Sequence, residues 1–243
     1  MKTVLTIAGS DPSGGAGIQA DLQTFLAFGV RGLTAITALT AQDETRFLSL
    51  NPVSSKILQE QLKAVSKIKI DAIKIGMLGT RENVVVVAHF LKRMKGVKVV
   101  LDPVFRSSTG AVLLDLDGIS LLKDLLIPLA TVVTPNLDEA EILTGMKVRS
   151  LEEMKEAAQT LYRSCRGVKA VLIKGGHLKG APTDLLFDGR HHHLFPAKRW
   201  PGPSPHGTGC VLSSAIAANL ALGVSLNESV EQAKRHLFQK FPA

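Results

Sequence analysis

Six short apolar runs rich in β-branched residues recur along the chain, at residues 3–8, 33–39, 72–76, 98–101, 130–133 and 169–173. Runs of this length with no polar alternation suit strands covered on both faces. Stretches with helical spacing lie between and after them, at 18–28, 54–67, 81–94, 118–126, 136–144, 150–164, 207–222 and 225–239. That alternation predicts an α/β fold with a central, mostly parallel sheet and helices on both faces. The length of 243 residues fits one large domain, taken as 1–243, and no repeat, low-complexity tract or interdomain linker divides it. Residues 182–197 read as a short hairpin with Asp188-Gly189 at its turn. Pro201-Gly202-Pro203-Ser204-Pro205 reads as a stiff loop.

No apolar run is long enough to span a membrane, and the N-terminus passes straight into a strand with no signal peptide. With only Cys165 and Cys210 present, a disulfide-free cytoplasmic protein is expected. The formal charge of +8 points to anionic partners. Lys and Arg are nevertheless scattered rather than clustered with aromatics, and one Trp and one Tyr give little basis for stacking on nucleic acid. A basic excess also suits an enzyme that handles nucleotide phosphates.

Two glycine-rich loops carry the chemical signal. His206-Gly207-Thr208-Gly209-Cys210 places a thiol at the start of an apolar helix. There the backbone can curl, and unsatisfied N–H groups of the first turn can converge on an anion. A thiol at that position is expected to deprotonate more easily. The plainer reading is an ordinary turn followed by a small buried Cys. The second loop, Gly9 to Gly17, follows the first strand and leads into a helix. Gly15-x-Gly17-x-x-Ala20 formally fits a dinucleotide fingerprint, but it begins six residues after the strand and the next strand runs out into Thr40-Ala41-Gln42 rather than an acidic residue. No Walker-type phosphate loop is present.

Seven motifs, in order, carry a resemblance that spans almost the whole chain: residues 8–21 (AGSDPSGGAGIQAD), 36–42 (ITALTAQ), 74–78 (KIGML), 101–104 (LDPV), 133–141 (VTPNLDEAE), 172–177 (LIKGGH) and 206–210 (HGTGC). The chain resembles the hydroxymethylpyrimidine and phosphomethylpyrimidine kinases of thiamine biosynthesis, within the ribokinase-like superfamily. The resemblance implies ATP-dependent phosphorylation of 4-amino-5-hydroxymethyl-2-methylpyrimidine, and then of its monophosphate, with Mg2+ as cofactor and a homodimer as the usual assembly.

Phosphoryl transfer needs a held triphosphate, charge screening, an in-line alcohol and somewhere for its proton to go. In a parallel sheet the C-terminal ends of the strands line one crevice, which brings Asp102, Asn136, Glu139 and Lys174 together. Asn136 to Glu139 matches the superfamily's Asn-x-x-Glu element near magnesium, with Asp102 as a second hard oxygen group for the metal. The same two residues also read as a helix cap and its capping pair. Lys174 is expected at the phosphates, and Asn136 and Thr208 with it on the nucleotide side. By resemblance, the turn Gly207, Thr208, Gly209, Cys210 is the anion hole and Cys210 the proposed base, where many sugar kinases of the superfamily carry Asp. Adenine and ribose contacts are implied within residues 182–208.

Gln42 matches the family's pyrimidine-binding glutamine, whose amide both donates and accepts. Asp21 is expected near the hydroxymethyl group, although an Asp in a first helical turn is also favoured by the dipole. Ala16 and Thr40 would contribute backbone contacts, and Met77 either a soft apolar wall or plain core. His191-His192-His193 reads as a solvated hairpin edge rather than a metal site, because adjacent strand residues face opposite ways. His206 is expected either to assist phosphate binding or to hold its loop. Ser204-Pro205-His206 departs from the His-Thr-His usual in the family, and the chain stops at Ala243 where many relatives continue. Pyridoxal kinase of the same group is the nearest alternative function; a catalytically silent pyrimidine-binding regulator is one of another class, and a nucleic-acid binder has less in its favour.

Overall fold

A computed structural model describes residues 1–43, 46–107, 109–202 and 205–242. Among the described residues nine strands form one sheet: β1 (Thr3–Ser10), β2 (Arg31–Gln42), β3 (Phe47–Pro52), β4 (Ala72–Ile75), β5 (Lys98–Leu101), β6 (Val132–Val133), β7 (Val171–Ile173), β8 (Thr183–Phe187) and β9 (His192–Pro196). Their spatial order is β3-β2-β1-β4-β5-β6-β7-β8-β9. The block from β2 to β7 is parallel, while β3 at one edge and β8 and β9 at the other are antiparallel. The helices are α1 (Gly17–Ala27), α2 (Ser55–Val65), α3 (Arg81–Leu91), α4 (Leu116–Leu125), α5 (Leu137–Thr144), α6 (Leu151–Ser164), α7 (Thr208–Leu222) and α8 (Leu226–Lys240).

The expected mostly parallel sheet is therefore present, as is the 182–197 hairpin. At its turn Asp188 accepts hydrogen bonds from the Arg190 and His191 amides, and Gly189 takes a φ of 94°. The β3 edge strand was not among the expected strands. Its residues are half-buried or exposed and it pairs on one side only, so it lacks the apolar continuity of the central strands. β2 is correspondingly longer than expected, and its far end carries Thr40 and Gln42 outward beside β3.

The strands bury apolar side chains on both faces. Ile7, Ile73, Ile75, Leu101, Val133 and Ile173 pack in the core formed with α2 to α6. Val4, Ala72, Val100, Val132 and Leu172 belong to the opposite core, with α7 and α8. α7 is the apolar helix expected after the turn, and Val211 to Ala221 are all buried. Its Ala- and Ser-rich sequence lets the backbone approach the sheet and α1 closely.

Chain order decides where a ligand can enter. After β1 the chain moves to β2 on one side and later returns to β4 on the other. That makes the C-terminal ends of β1 and β4 a topological switch point, where an open α/β sheet presents a crevice.

Candidate active site

A cleft of about 770 Å³ opens at this switch point. Across it the sheet order gives a spatial order: Gln42 from β2, the Gly9–Asp11 loop from β1, Lys74 and Met77 from β4, Asp102 after β5, Asn136 and Glu139 after β6, and Lys174 after β7. The start of α7, Gly207 to Cys210, lines the same cleft.

Gly207 caps α7 with a φ of 82°, and among the described residues no side chain caps the helix. The first intrahelical bond runs from Val211 N to Gly207 O, so among the described residues the amides of Thr208, Gly209 and Cys210 have no backbone acceptor and are left for a ligand. A Cβ on Gly207 would lie 1.8 Å from the Gly15 carbonyl oxygen, so the two glycine-rich loops pack backbone to backbone. Asp11 and His206 tie them together. Asp11 Oδ2 accepts from the Ala16 amide at 2.9 Å and lies 2.9 Å from His206 Nε2, while Oδ1 accepts from the Ser13 amide and hydroxyl. His206 thus holds the loop, one of its two expected uses. Ser204, the departure noted before it, lies outside the described residues, as do Pro203 and Ala243.

At the β5 to β7 side, Lys174 Nζ donates to Asp102 Oδ1 at 2.7 Å and lies 3.8 Å from Glu139 Oε2. Asp102, 1% exposed, also accepts from Thr134 Oγ1 and Ser213 Oγ. Asn136 and Glu139 form a complete capping box on α5, at 2.8 and 2.7 Å. The Glu139 carboxylate thus serves the cap while facing the cleft. A Cβ on Gly209 would come within 3.3 Å of Lys174 Nζ, so α7 begins directly against this cluster.

Burial pushes the Glu139 carboxyl up to about 7; Lys174 pulls it back and Asp102 adds to the rise. The folded protein therefore holds this proton more tightly than the unfolded chain, whose value is 4.5. The contribution to stability is fully present below that value and is lost as pH rises toward 7. Denaturation without divalent metal is expected to show a stability difference, wild type minus Glu139→Gln, that falls between pH 5 and pH 8; a flat difference would contradict the assignment.

Of the substrate-side residues, Ala16, Thr40, Gln42 and Met77 line the cleft. The Thr40 hydroxyl is spent on the Ser10 carbonyl, at 2.9 Å. Met77 is half-buried and its methyl group lies 2.0 Å from where a Gly9 Cβ would be, so it is cleft wall rather than plain core. Asp21 requires a correction. It is fully buried and does not line the cleft, because Lys74, Thr6 and Ser214 occupy its carboxylate.

The expected easy deprotonation of Cys210 is also corrected. Burial pushes its thiol up; Lys74 and a Gly17 amide hydrogen bond oppose that shift, while Asp21 and Asp102 add to it. Sequence reasoning gave Lys74 no role. The signal was there, a lysine inside the apolar run Ala72-Ile73-Lys74-Ile75, since a cation in a buried strand demands a partner.

On the far side, Arg199 donates to the carbonyls of Gly176, Leu178 and Gly180, joining two loops of the cleft wall. In the hairpin, His193 pairs with Asp188 at 2.9 Å and His192 stacks on Phe187.

Residues 11–241 match the family model described as phosphomethylpyrimidine kinase. The chain belongs to the phosphomethylpyrimidine kinase family. It is 48% identical over 236 residues to a hydroxymethylpyrimidine/phosphomethylpyrimidine kinase of Rhizobium meliloti, covering 96% of this chain and 88% of the relative. The crystal structure of a phosphomethylpyrimidine kinase from Clostridium difficile superposes with a TM-score of 0.87 at 38% identity, covering 99% of each chain. A Staphylococcus aureus pyridoxal kinase in complex with AMP-PCP and pyridoxal superposes with a TM-score of 0.88 at 36% identity, over 98% of this chain and 86% of that one. This member of the phosphomethylpyrimidine kinase family is accordingly a kinase of ribokinase-like α/β fold. No helix among its described residues is long and apolar enough to cross a membrane.

Proposed function

We propose that this kinase transfers the γ-phosphoryl group of ATP to the hydroxymethyl group of 4-amino-5-hydroxymethyl-2-methylpyrimidine, and then a second to the resulting monophosphate, in thiamine biosynthesis. The observation that carries this reading is the order of groups across one cleft. Gln42 and Met77 line its β2 and β4 side, Asp102, Glu139 and Lys174 its β5 to β7 side, and the α7 amides with Cys210 stand at the same crevice. The pyrimidine edge would meet the Gln42 amide, and the triphosphate would run toward Lys174, Asn136 and Thr208.

Transfer then requires little covalent chemistry from the protein. Gly207, Thr208, Gly209 and Cys210 present backbone donors where the phosphoryl group passes, and a helix N-terminus favours that charge. Cys210 receives the alcohol proton once its own thiol has been ionised. Lys174 screens the phosphates and Asp102 fixes its ammonium.

Magnesium fits this site. Asp102 and Glu139 give two hard carboxylates that already attract a cation, Lys174, and among the described residues no group of three or more acidic, His or Cys ligands forms. Two carboxylates suit an ion that keeps its waters and takes phosphate oxygens. When bound, Mg2+ would neutralise charge on the transferring phosphates. We also place the protein in the cytoplasm, as a homodimer whose residues 1–243 form one catalytic domain.

The test is ADP release with ATP and Mg2+, offering hydroxymethylpyrimidine, its monophosphate and pyridoxal separately. Turnover on both pyrimidines is expected, with Gln42→Ala raising KM for the pyrimidine by about tenfold through the lost charge-neutral hydrogen bonds. A preference for pyridoxal, the compound named with the Staphylococcus aureus structure, would assign the cleft to that vitamer instead.

A further inference from the structure

Lys74 is a fully buried cation whose protons are not all accounted for by its partner. Its ammonium lies 2.9 Å from each oxygen of the equally buried Asp21. An ammonium has three donors, and among the described residues its hydrogen bonds all go to that one carboxylate. Asp21, by contrast, is saturated. Ser214 donates to Oδ1 and Thr6 to Oδ2, each at 2.6 Å.

The pair joins four elements, β1, α1, β4 and α7, at one point. Ser214 is four residues after Cys210 on α7, so the two side chains share a helical face. Lys74 and Cys210 line the same cleft, and a Cβ on Gly76 would come within 2.9 Å of Lys74 Nζ. Glycine at 76 therefore leaves the ammonium room at the cleft floor. A buried ion pair adds little to stability relative to apolar residues of the same volume. A dry lysine in the central sheet, held by a saturated carboxylate with one donor to spare, calls for a chemical use.

We propose that Lys74 is a catalytic cation whose third proton serves the end of the cleft where the acceptor alcohol meets the Cys210 sulfur, and that Asp21 is the positioning residue that holds it there. The assignment rests on the kinase reading of the cleft. During transfer the alcohol oxygen bonds to the γ-phosphorus while the bond to the bridging oxygen breaks. ADP leaves with that electron pair; the Cys210 thiol, drawn by Lys74, has first given its own proton to solvent, and the alcohol proton passes to the resulting thiolate. Lys74 keeps its protons and stabilises the negative charge on oxygen and sulfur. Four charged groups act on that sulfur: Lys74 from β4, Asp21 from α1, Asp102 after β5 and Lys174 after β7. Lys74 is the foremost of them in drawing the thiol toward its thiolate.

Removing both charges separates chemistry from folding, because Lys74→Met with Asp21→Asn leaves no buried charge unpaired. The double variant is expected to melt near wild type yet lose about 100-fold in kcat, with KM for ATP little changed. In Lys74→Gln, which loses the cation while the Asp21 charge that raises the thiol stays, iodoacetamide should alkylate Cys210 about tenfold more slowly at pH 8, the modified residue being identified by mass spectrometry. Lys74→Gln keeps an N–H for Asp21, and its kcat should fall alike. Unchanged kcat in either folded variant, or unchanged alkylation in Lys74→Gln, overturns the proposal. Alkylation reads Lys74 even where no pyrimidine is turned over, so failure of the substrate assignment is seen separately in the wild-type ADP assay.

Discussion

Gly207→Ala is expected to abolish turnover and to destabilise the fold. The residue holds a φ of 82°, which costs an L side chain about 1–2 kcal/mol. The added methyl would also overlap the Gly15 carbonyl oxygen, 1.8 Å away, and backbone cannot yield as a flexible side chain can. The two loops must part, taking the first amides of α7 away from the cleft. Together these effects are expected to cost about 3 kcal/mol or more in stability and at least 100-fold in kcat. Gly96→Ala is the control: its φ is 78° but nothing lies within 4 Å of the added methyl, so only the backbone penalty of about 1–2 kcal/mol should appear, with kcat intact. Denaturation curves and ADP release on both variants check this. Equal behaviour of the two would show that the contact between loops does not matter.

Lys174→Met has the next largest expected effect. It strands Asp102, which is 1% exposed, and takes away the cation facing Glu139. One-sided loss of a buried pair costs about 3–5 kcal/mol, and the partial exposure of Lys174 puts this case at the lower end, about 3. Turnover should fall by about 100- to 1000-fold with the loss of phosphate screening. Adding Asp102→Asn should recover much of the stability and none of the turnover. Recovery of both would mean that the pair is structural only.

Much of this architecture was legible because it depends on local pattern. Doubly buried parallel strands must be continuously apolar, and Ile7, Ile73 and Val133 show that plainly. Asn136 and Glu139 declared a capping box by spacing alone. Strand β3 did not declare itself, since an edge strand with one partner carries no buried face on both sides. Of the site, Asp102, Asn136, Glu139 and Lys174 were legible as members of one crevice, because strand ends in a parallel sheet converge, while Gln42 and the 207–210 turn were assigned by the family resemblance.

What sequence could not supply was the environment of each polar group. Asp21 looked like a ligand residue at a helix start, and only folding put Lys74, Thr6 and Ser214 around it. Cys210 looked like an activated thiol at a helix N-terminus, and only folding added the burial that raises it. The chain by itself determined the alternation of the central strands with helices, the two glycine-rich loops, and the family. The tertiary structure decided which charges are dry, which are paired and which face the cleft, because burial and pairing depend on residues as distant as Asp21 and Ser214, 193 positions apart, meeting at one point.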